Sequence, residues 1–85
     1  MPPMPLSGNI ATQLHALDHQ IIELLAERVT LCRRAVEEDE HAFDAAAQSE
    51  ILGEWQEMAD EKGLSLGATT TICKGVMKLC QAQEI

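Results

Sequence analysis

The sequence predicts an all-α protein with three helices per chain, one long and two shorter, assembled as a homodimer. Helix-forming residues such as Ala, Leu, Glu and Gln dominate, whereas the chain has one Phe, one Trp and no Tyr. Apolar residues in the first half recur at alternating steps of four and three, which is typical of one helix face. The 85 residues suffice for one domain, and a domain this small is marginal without a partner.

The first helix is expected from Ile10 to about Glu38, since no Gly or Pro interrupts this stretch. Its apolar seam has heptad spacing and consists of Ile10, Leu14, Leu17, Ile21, Leu24, Leu31 and Ala35. Residues 1–8 hold all three prolines and are interpreted as a loose leader, with the domain at residues 9–85; Ser7 or Asn9 can cap the helix. A helix of roughly 44 Å is too long for two short helices to cover, so a second copy is expected to cover it.

The acidic run at 37–40 is expected to form a solvated helix end or loop, because acids oppose the dipole at a helix C-terminus. The second helix is expected over Asp44–Lys62, with Asp44 as cap and Gly63 as stop. Ser65 can cap the third helix. The apolar faces of these helices comprise Ala47, Ile51, Leu52, Trp55, Met58 and Ala59, and Ala68, Ile72, Cys73, Val76, Met77 and Cys80.

The net charge of −8 and the pI near 4.6 argue against nucleic acid or an anionic membrane surface as a partner. Cys32, Cys73 and Cys80 cannot all pair within one chain and form no C-x-x-C motif. They are interpreted as reduced, buried thiols of a cytoplasmic protein, with a pocket-lining thiol as the alternative. We expect no signal peptide, membrane span, metal or other cofactor.

Arg28 interrupts the seam within the stretch IIELLAERVTL, where a core residue is expected. One interpretation is that it binds an anionic ligand in a buried pocket. The other is a structural ion pair with Glu27, Glu50 or Asp18 of either chain, since a buried Arg usually has a partner.

Two further features have an ordinary structural interpretation. His15 and His19 are four residues apart and could share a metal, but a solvated helix face is expected. Trp55 lies at helical spacing and is interpreted as a core or dimer anchor. No Ser or Cys is paired with a His at the spacing of a nucleophilic site.

The chain resembles the all-helical AroQ class of chorismate mutases (type II). The resemblance is carried by LHALDHQIIELLAERVTL in the first helix, SEIL in the second, KGLS between the second and third, and LCQAQ near the end. It covers nearly the whole chain in the family's order. It implies an intertwined homodimer whose active sites combine helices of both chains. It also implies conversion of chorismate to prephenate without a cofactor, in the shikimate pathway of aromatic amino acid biosynthesis.

Two catalytic residues carry over from the resemblance. Arg28 would bind a substrate carboxylate, because a planar guanidinium binds carboxylates bidentately. Glu50 falls where the family has a glutamate that contacts a substrate hydroxyl. The alternative for Glu50 is a first-turn acid that interacts favourably with the helix dipole.

Several cationic positions of the family are occupied by other residues here. Ala11 occupies the position at which the family has an arginine in the first helix. In the family, that arginine contributes to the active site of the partner chain. Asp39 aligns with the lysine that donates to the ether oxygen of the substrate. Ala46 and Ser49 align with the acid and the arginine of the second-helix motif. Asp39 and Ser49 remain candidate substrate-binding residues at these positions.

The last helix carries the remaining candidate substrate-binding residues. Cys80 aligns with a small hydroxyl residue of the family. Glu84 aligns with a glutamine of the family's last helix. If the alignment of this helix is shifted by one residue, Gln83 takes that position.

The expected function is therefore chorismate mutase-like isomerase activity, or a related chorismate or isochorismate reaction, weakened by missing cations. Arg33, Arg34, Lys74 or Lys78 could replace them, or a partner protein could supply them. One alternative is a non-catalytic dimeric module that is regulatory or binds a partner. Another is a helical interaction domain whose similarity is only architectural.

Overall fold

The chain folds into three α-helices in the computed structural model, which describes residues 6–81 and the side chains from residue 9 onward. Helix α1 spans Leu6–Glu38, α2 spans Ala45–Glu61 and α3 spans Leu66–Gln81. The predicted all-α class, with one long and two shorter helices, is confirmed. The predictions for residues 1–5, Gln83 and Glu84 fall outside the described residues.

Helix α1 begins about one turn earlier than the sequence predicts. It starts at Leu6, so Ser7 and Asn9 lie within the helix and do not cap it. Pro5 is the last proline of the sequence, and every residue after it has the backbone N–H that a helix interior requires. The C-terminus of the helix lies at Glu38, as predicted.

The acidic segment after α1 forms an exposed turn. The Asp39 side chain accepts a hydrogen bond from the backbone N–H of His41 at 2.9 Å. The backbone N–H of Asp44 donates to the carbonyl of His41 at 3.2 Å and closes the connection to α2. Short acidic side chains commonly accept from the backbone two residues ahead, and here this contact stops the helix.

The ends of α2 and the start of α3 follow the predicted capping residues. Asp44 caps α2 by accepting from the backbone N–H of Ala47 at 2.9 Å. Gly63 has φ +71°, a left-handed conformation that glycine adopts without steric cost. Leu64 then donates to a carbonyl in the last turn of α2 at 2.8 Å. The Ser65 hydroxyl accepts from the backbone N–H three residues ahead at 3.1 Å and caps α3. Because only four residues separate α2 from α3, the two helices form a tight hairpin.

The core is small and lies where the C-terminal half of α1 and helix α2 each pack on α3. Its buried apolar residues are Cys32, Ala59, Cys73 and Val76. The Gln56 side chain donates to the Thr70 hydroxyl at 3.1 Å and links α2 to α3. These contacts hold only one end of α1 against the hairpin.

The apolar seam of α1 is largely exposed in the single chain. Leu14, Leu17, Ile21 and Leu24 are each more than half exposed, between 52% and 61%. The chain is correspondingly elongated, with extents of 60 × 29 × 17 Å. A continuous exposed apolar stripe of this kind is typical of a protein–protein interface.

Candidate active site around Arg28

A pocket lies where α1 and α3 meet the turn before α2. Its cavity volume in the single chain is small, about 20 Å³, and the pocket is partly open to solvent. We name it the Arg28 pocket; its lining residues are Arg28, Cys32, Phe43, Gln48, Met77, Cys80 and Gln81. All three helices and the connecting turn contribute, so the pocket exists only in the folded chain.

Arg28 lies at the wall of this pocket and is partly buried. Its Nη1 donates to the Cys32 sulfur at 3.6 Å, one helical turn further along α1. Among residues 9–81, no carboxylate of the same chain forms an ion pair with Arg28. The intrachain pairs considered for Arg28 are therefore not formed, and its guanidinium is available to a bound anion.

Gln48 is the α2 side chain that shares the pocket with Arg28. Its Nε2 donates to the Phe43 carbonyl at 2.7 Å, which leaves Oε1 as its acceptor. Gln48 was not predicted as a site residue, although its position in the sequence carries a signal. Gln48 precedes Leu52 and Trp55 at the spacing of one helix face, so it is a polar residue on an apolar stripe.

The predicted site residues of α2 and of the preceding turn lie elsewhere. Glu50 is exposed and does not line the pocket, because two residues along a helix rotate a side chain about 200° away from Gln48. Asp39 is exposed and bonded within its turn. Ser49 lines a neighbouring groove, described below.

Cys80 is the predicted residue that the structure does bring next to Arg28. Burial is the main cause that raises the pKa of its thiol to about 11, and a hydrogen bond with the Cys32 thiol contributes. Arg28 and Arg33 act in the opposite direction. At neutral pH Cys80 is consequently a neutral thiol, which can donate a weak hydrogen bond.

The other two cysteines pack in the core, and all three are free thiols. Cys73 is completely buried, and this burial raises the pKa of its thiol. The positive charge of Arg28 lowers that pKa, but by less than burial raises it. Cys32 is also buried, but it contacts the pocket on one side.

We expect Cys80 to react with iodoacetamide about 100-fold more slowly at pH 8 than an ordinary thiol, because its higher pKa leaves far less thiolate. The rate should rise with pH up to about 11. The Cys80 thiol holds its proton more tightly in the folded than in the unfolded protein. Its contribution to the free energy of unfolding is therefore fully present below pH 9 and is lost as the pH rises through about 11. Mass spectrometry of the labelled peptide over pH 7–11 measures the rate, with urea-unfolded protein as control. Equal rates for folded and unfolded protein would contradict the expectation.

A second cavity adjoins the Arg28 pocket between α2 and α3. We name it the lysine groove; its lining residues are Ala45, Gln48, Ser49, Leu52, Lys74, Met77, Lys78 and Gln81. Gln48, Met77 and Gln81 line both cavities, so the two adjoin each other. Arg33 instead lines a separate cavity together with Val36, Glu37 and Cys80.

The family model for chorismate mutase type II matches residues 10–85. The chain belongs to this family. The resemblance found in the first-helix stretch and the all-helical AroQ fold are thereby confirmed. Neither the curated proteins nor the solved structures contain a significant match to the chain.

For a chorismate mutase-like chain, the chemistry sets clear requirements on the pocket. The substrate carries two carboxylates, and its ether oxygen gains negative charge in the transition state, so cations and a hydrogen-bond donor are needed. Within residues 9–81, Arg28 is the one cation that lines the pocket.

No group of three His, Cys, Asp or Glu side chains in that part of the chain is placed to hold a metal ion. The described helices also include none with the length and apolar character needed to cross a membrane.

Proposed function

We propose that the protein is a chorismate mutase-like isomerase that binds chorismate, or a closely related dicarboxylate such as isochorismate, in the Arg28 pocket. One observation carries the proposal. A partly buried arginine, without an ion pair among the described residues, lines a pocket formed by all three helices of a chorismate mutase type II chain. Leaving a buried charge unpaired is costly, so a bound anion is the natural partner.

Each pocket residue contacts a different group of the substrate in this proposal. Arg28 holds one carboxylate, and its position next to Cys32 keeps the guanidinium within the pocket. Gln48 accepts from the substrate hydroxyl through Oε1, in the role the sequence analysis gave to Glu50. The neutral Cys80 thiol offers a weak donor and needs no covalent step, because the rearrangement is intramolecular.

We further propose that turnover is weak. Asp39 occupies the position expected for the donor to the ether oxygen and is bonded within its own turn. Loss of one preorganised donor to developing charge costs about 3–4 kcal/mol, a factor of roughly 100 to 1,000 in rate. The rate should therefore lie well below that of a chain with the full cation set of the family.

The active form in this proposal is a homodimer in the cytoplasm. The exposed seam of α1 supports it, because a second α1 can cover Leu14, Leu17, Ile21 and Leu24. Free thiols at all three cysteines fit a reducing compartment.

A chorismate assay on purified protein at high concentration tests the function. We expect prephenate, identified by chromatography, to form faster than in a matched solution without protein. Failure of a correctly folded protein to exceed the uncatalysed rate would contradict isomerase activity.

The second candidate is a non-catalytic dimeric module that binds a chorismate-like ligand or a partner protein. The presence of a single cation in the pocket, among the described residues, favours it. Binding of chorismate without product formation would distinguish this function from catalysis.

A further inference from the structure

The Arg28 pocket and the lysine groove adjoin each other along α3, and we name the two together the trough. Met77 and Gln81 of α3 and Gln48 of α2 line both parts. Met77 is the apolar residue that the two parts share, and the two glutamines provide amide groups. A ligand that spans these shared residues would contact both parts.

The trough has an unusual charge for this protein. The chain has 14 acidic residues and only 6 Lys or Arg, yet three of those cations line the trough. No Asp or Glu of residues 9–81 lines either part. The protein as a whole repels anions, so a trough with this local composition is the place where an anion can bind.

The two lysines are positioned to act together at the far end. Lys74 and Lys78 are one helical turn apart on α3, about 6 Å along its axis. Both side chains are exposed, and their flexible stems let the ammonium groups converge on one anion. Gln81 follows Lys78 at the next turn and faces the Arg28 side as well.

We propose that Lys74 and Lys78 form a second anion subsite, so that the trough takes an elongated dianion held by Arg28 at one end and by the lysines at the other. The proposal rests on the binding site of the proposed function and names which residues replace the missing cations. Gln48 and Gln81 hydrogen bond to the polar middle of the ligand.

This arrangement separates affinity from catalysis. The lysines compensate a carboxylate, which carries the same charge in the ground state and the transition state. Such uniform binding lowers KM without raising kcat. A protein built this way holds a dicarboxylate well and rearranges it poorly, which accounts for a retained pocket beside a depleted set of catalytic donors.

The test is an NMR titration of the ¹⁵N-labelled, full-length protein with three probes. Chorismate and isophthalate carry two carboxylates, and benzoate carries one. Lys78→Gln should weaken binding of both dianions about tenfold and change benzoate binding less than twofold, because benzoate needs only Arg28. Lys78→Arg should restore the dianion affinity. Lys62→Gln is the matched control: it removes the same charge at the C-cap of α2, outside the trough.

The outcomes separate the subsite from the function. Loss of isophthalate binding in Lys78→Gln but not in Lys62→Gln supports the subsite, even if chorismate itself does not bind. Equal losses in the two variants would overturn it, since they would reflect only the net charge. Chorismate turnover or binding that depends on Arg28 but not on Lys78 would also overturn the subsite while leaving the proposed function intact. Wild-type protein that binds isophthalate no better than benzoate would exclude the subsite as well.

Discussion

Replacement of Arg28 by alanine is expected to abolish measurable chorismate turnover and to weaken chorismate binding about 30-fold or more. Arg28 is the one cation in the pocket among the described residues, so its loss leaves a substrate carboxylate without a counter-charge. Truncation of one partner of a buried, hydrogen-bonded charge pair typically costs about 2–5 kcal/mol. Calorimetric titration and the prephenate assay on the same preparations measure the two effects.

Arg34→Ala is the matched control for this experiment. Arg34 lies on the same helix, is exposed and does not line the Arg28 pocket, so its removal changes the net charge equally. Arg28→Lys should retain part of the binding, because an ammonium keeps the charge but not the bidentate geometry. If Arg28→Ala and Arg34→Ala bind chorismate alike, the pocket is not the binding site.

Replacement of Ile21 by glutamate is expected to convert the dimer into a poorly folded monomer at micromolar concentration. Ile21 lies at the middle of the exposed seam and is 52% exposed in the single chain. In the proposed dimer its substitution places a charge from each chain inside one apolar interface, where an unpaired charge costs several kcal/mol. The core of one chain is too small to stabilise α1 without this interface.

Sedimentation equilibrium and circular dichroism measure this effect. The wild type should sediment at twice 9.3 kDa, and the variant at 9.3 kDa with reduced helicity. Gln20→Glu adds the same charge at the adjacent exposed position outside the seam and should remain dimeric. A wild-type protein that is a stable monomer would contradict both the dimer and a site shared between chains.

The sequence by itself determined the three helices and all of their ends except the start of α1. The heptad spacing of α1, the Asp44 cap and the left-handed Gly63 are local features, and the structure has each of them where the sequence predicts. Local hydrogen bonds and backbone preferences decide such features within a few residues. The start of α1 was predicted about one turn too late, because Ser7 and Asn9 are acceptable both as caps and within a helix.

The sequence also indicated that Arg28 was exceptional, since a charge on an apolar seam requires a partner. It could not show which α2 residue faces Arg28. Glu50 matched the family by residue type, but the rotation of α2 about its axis points Gln48 into the pocket instead. Leu52 and Trp55 are half-buried and Ala59 is buried on the same face as Gln48, and a shift of two residues turns a side chain to the opposite face.

Only the tertiary structure decided which cations line adjoining cavities. Lys74 and Lys78 are more than 40 residues away from Arg28 in the sequence, and their cavities adjoin because α1 and α2 both pack on α3. The same packing half-buries Cys80 beside Cys32 and raises the pKa of its thiol. Helix formation is local and can be predicted from spacing, whereas a binding site depends on contacts between distant residues, which form only when the helices pack.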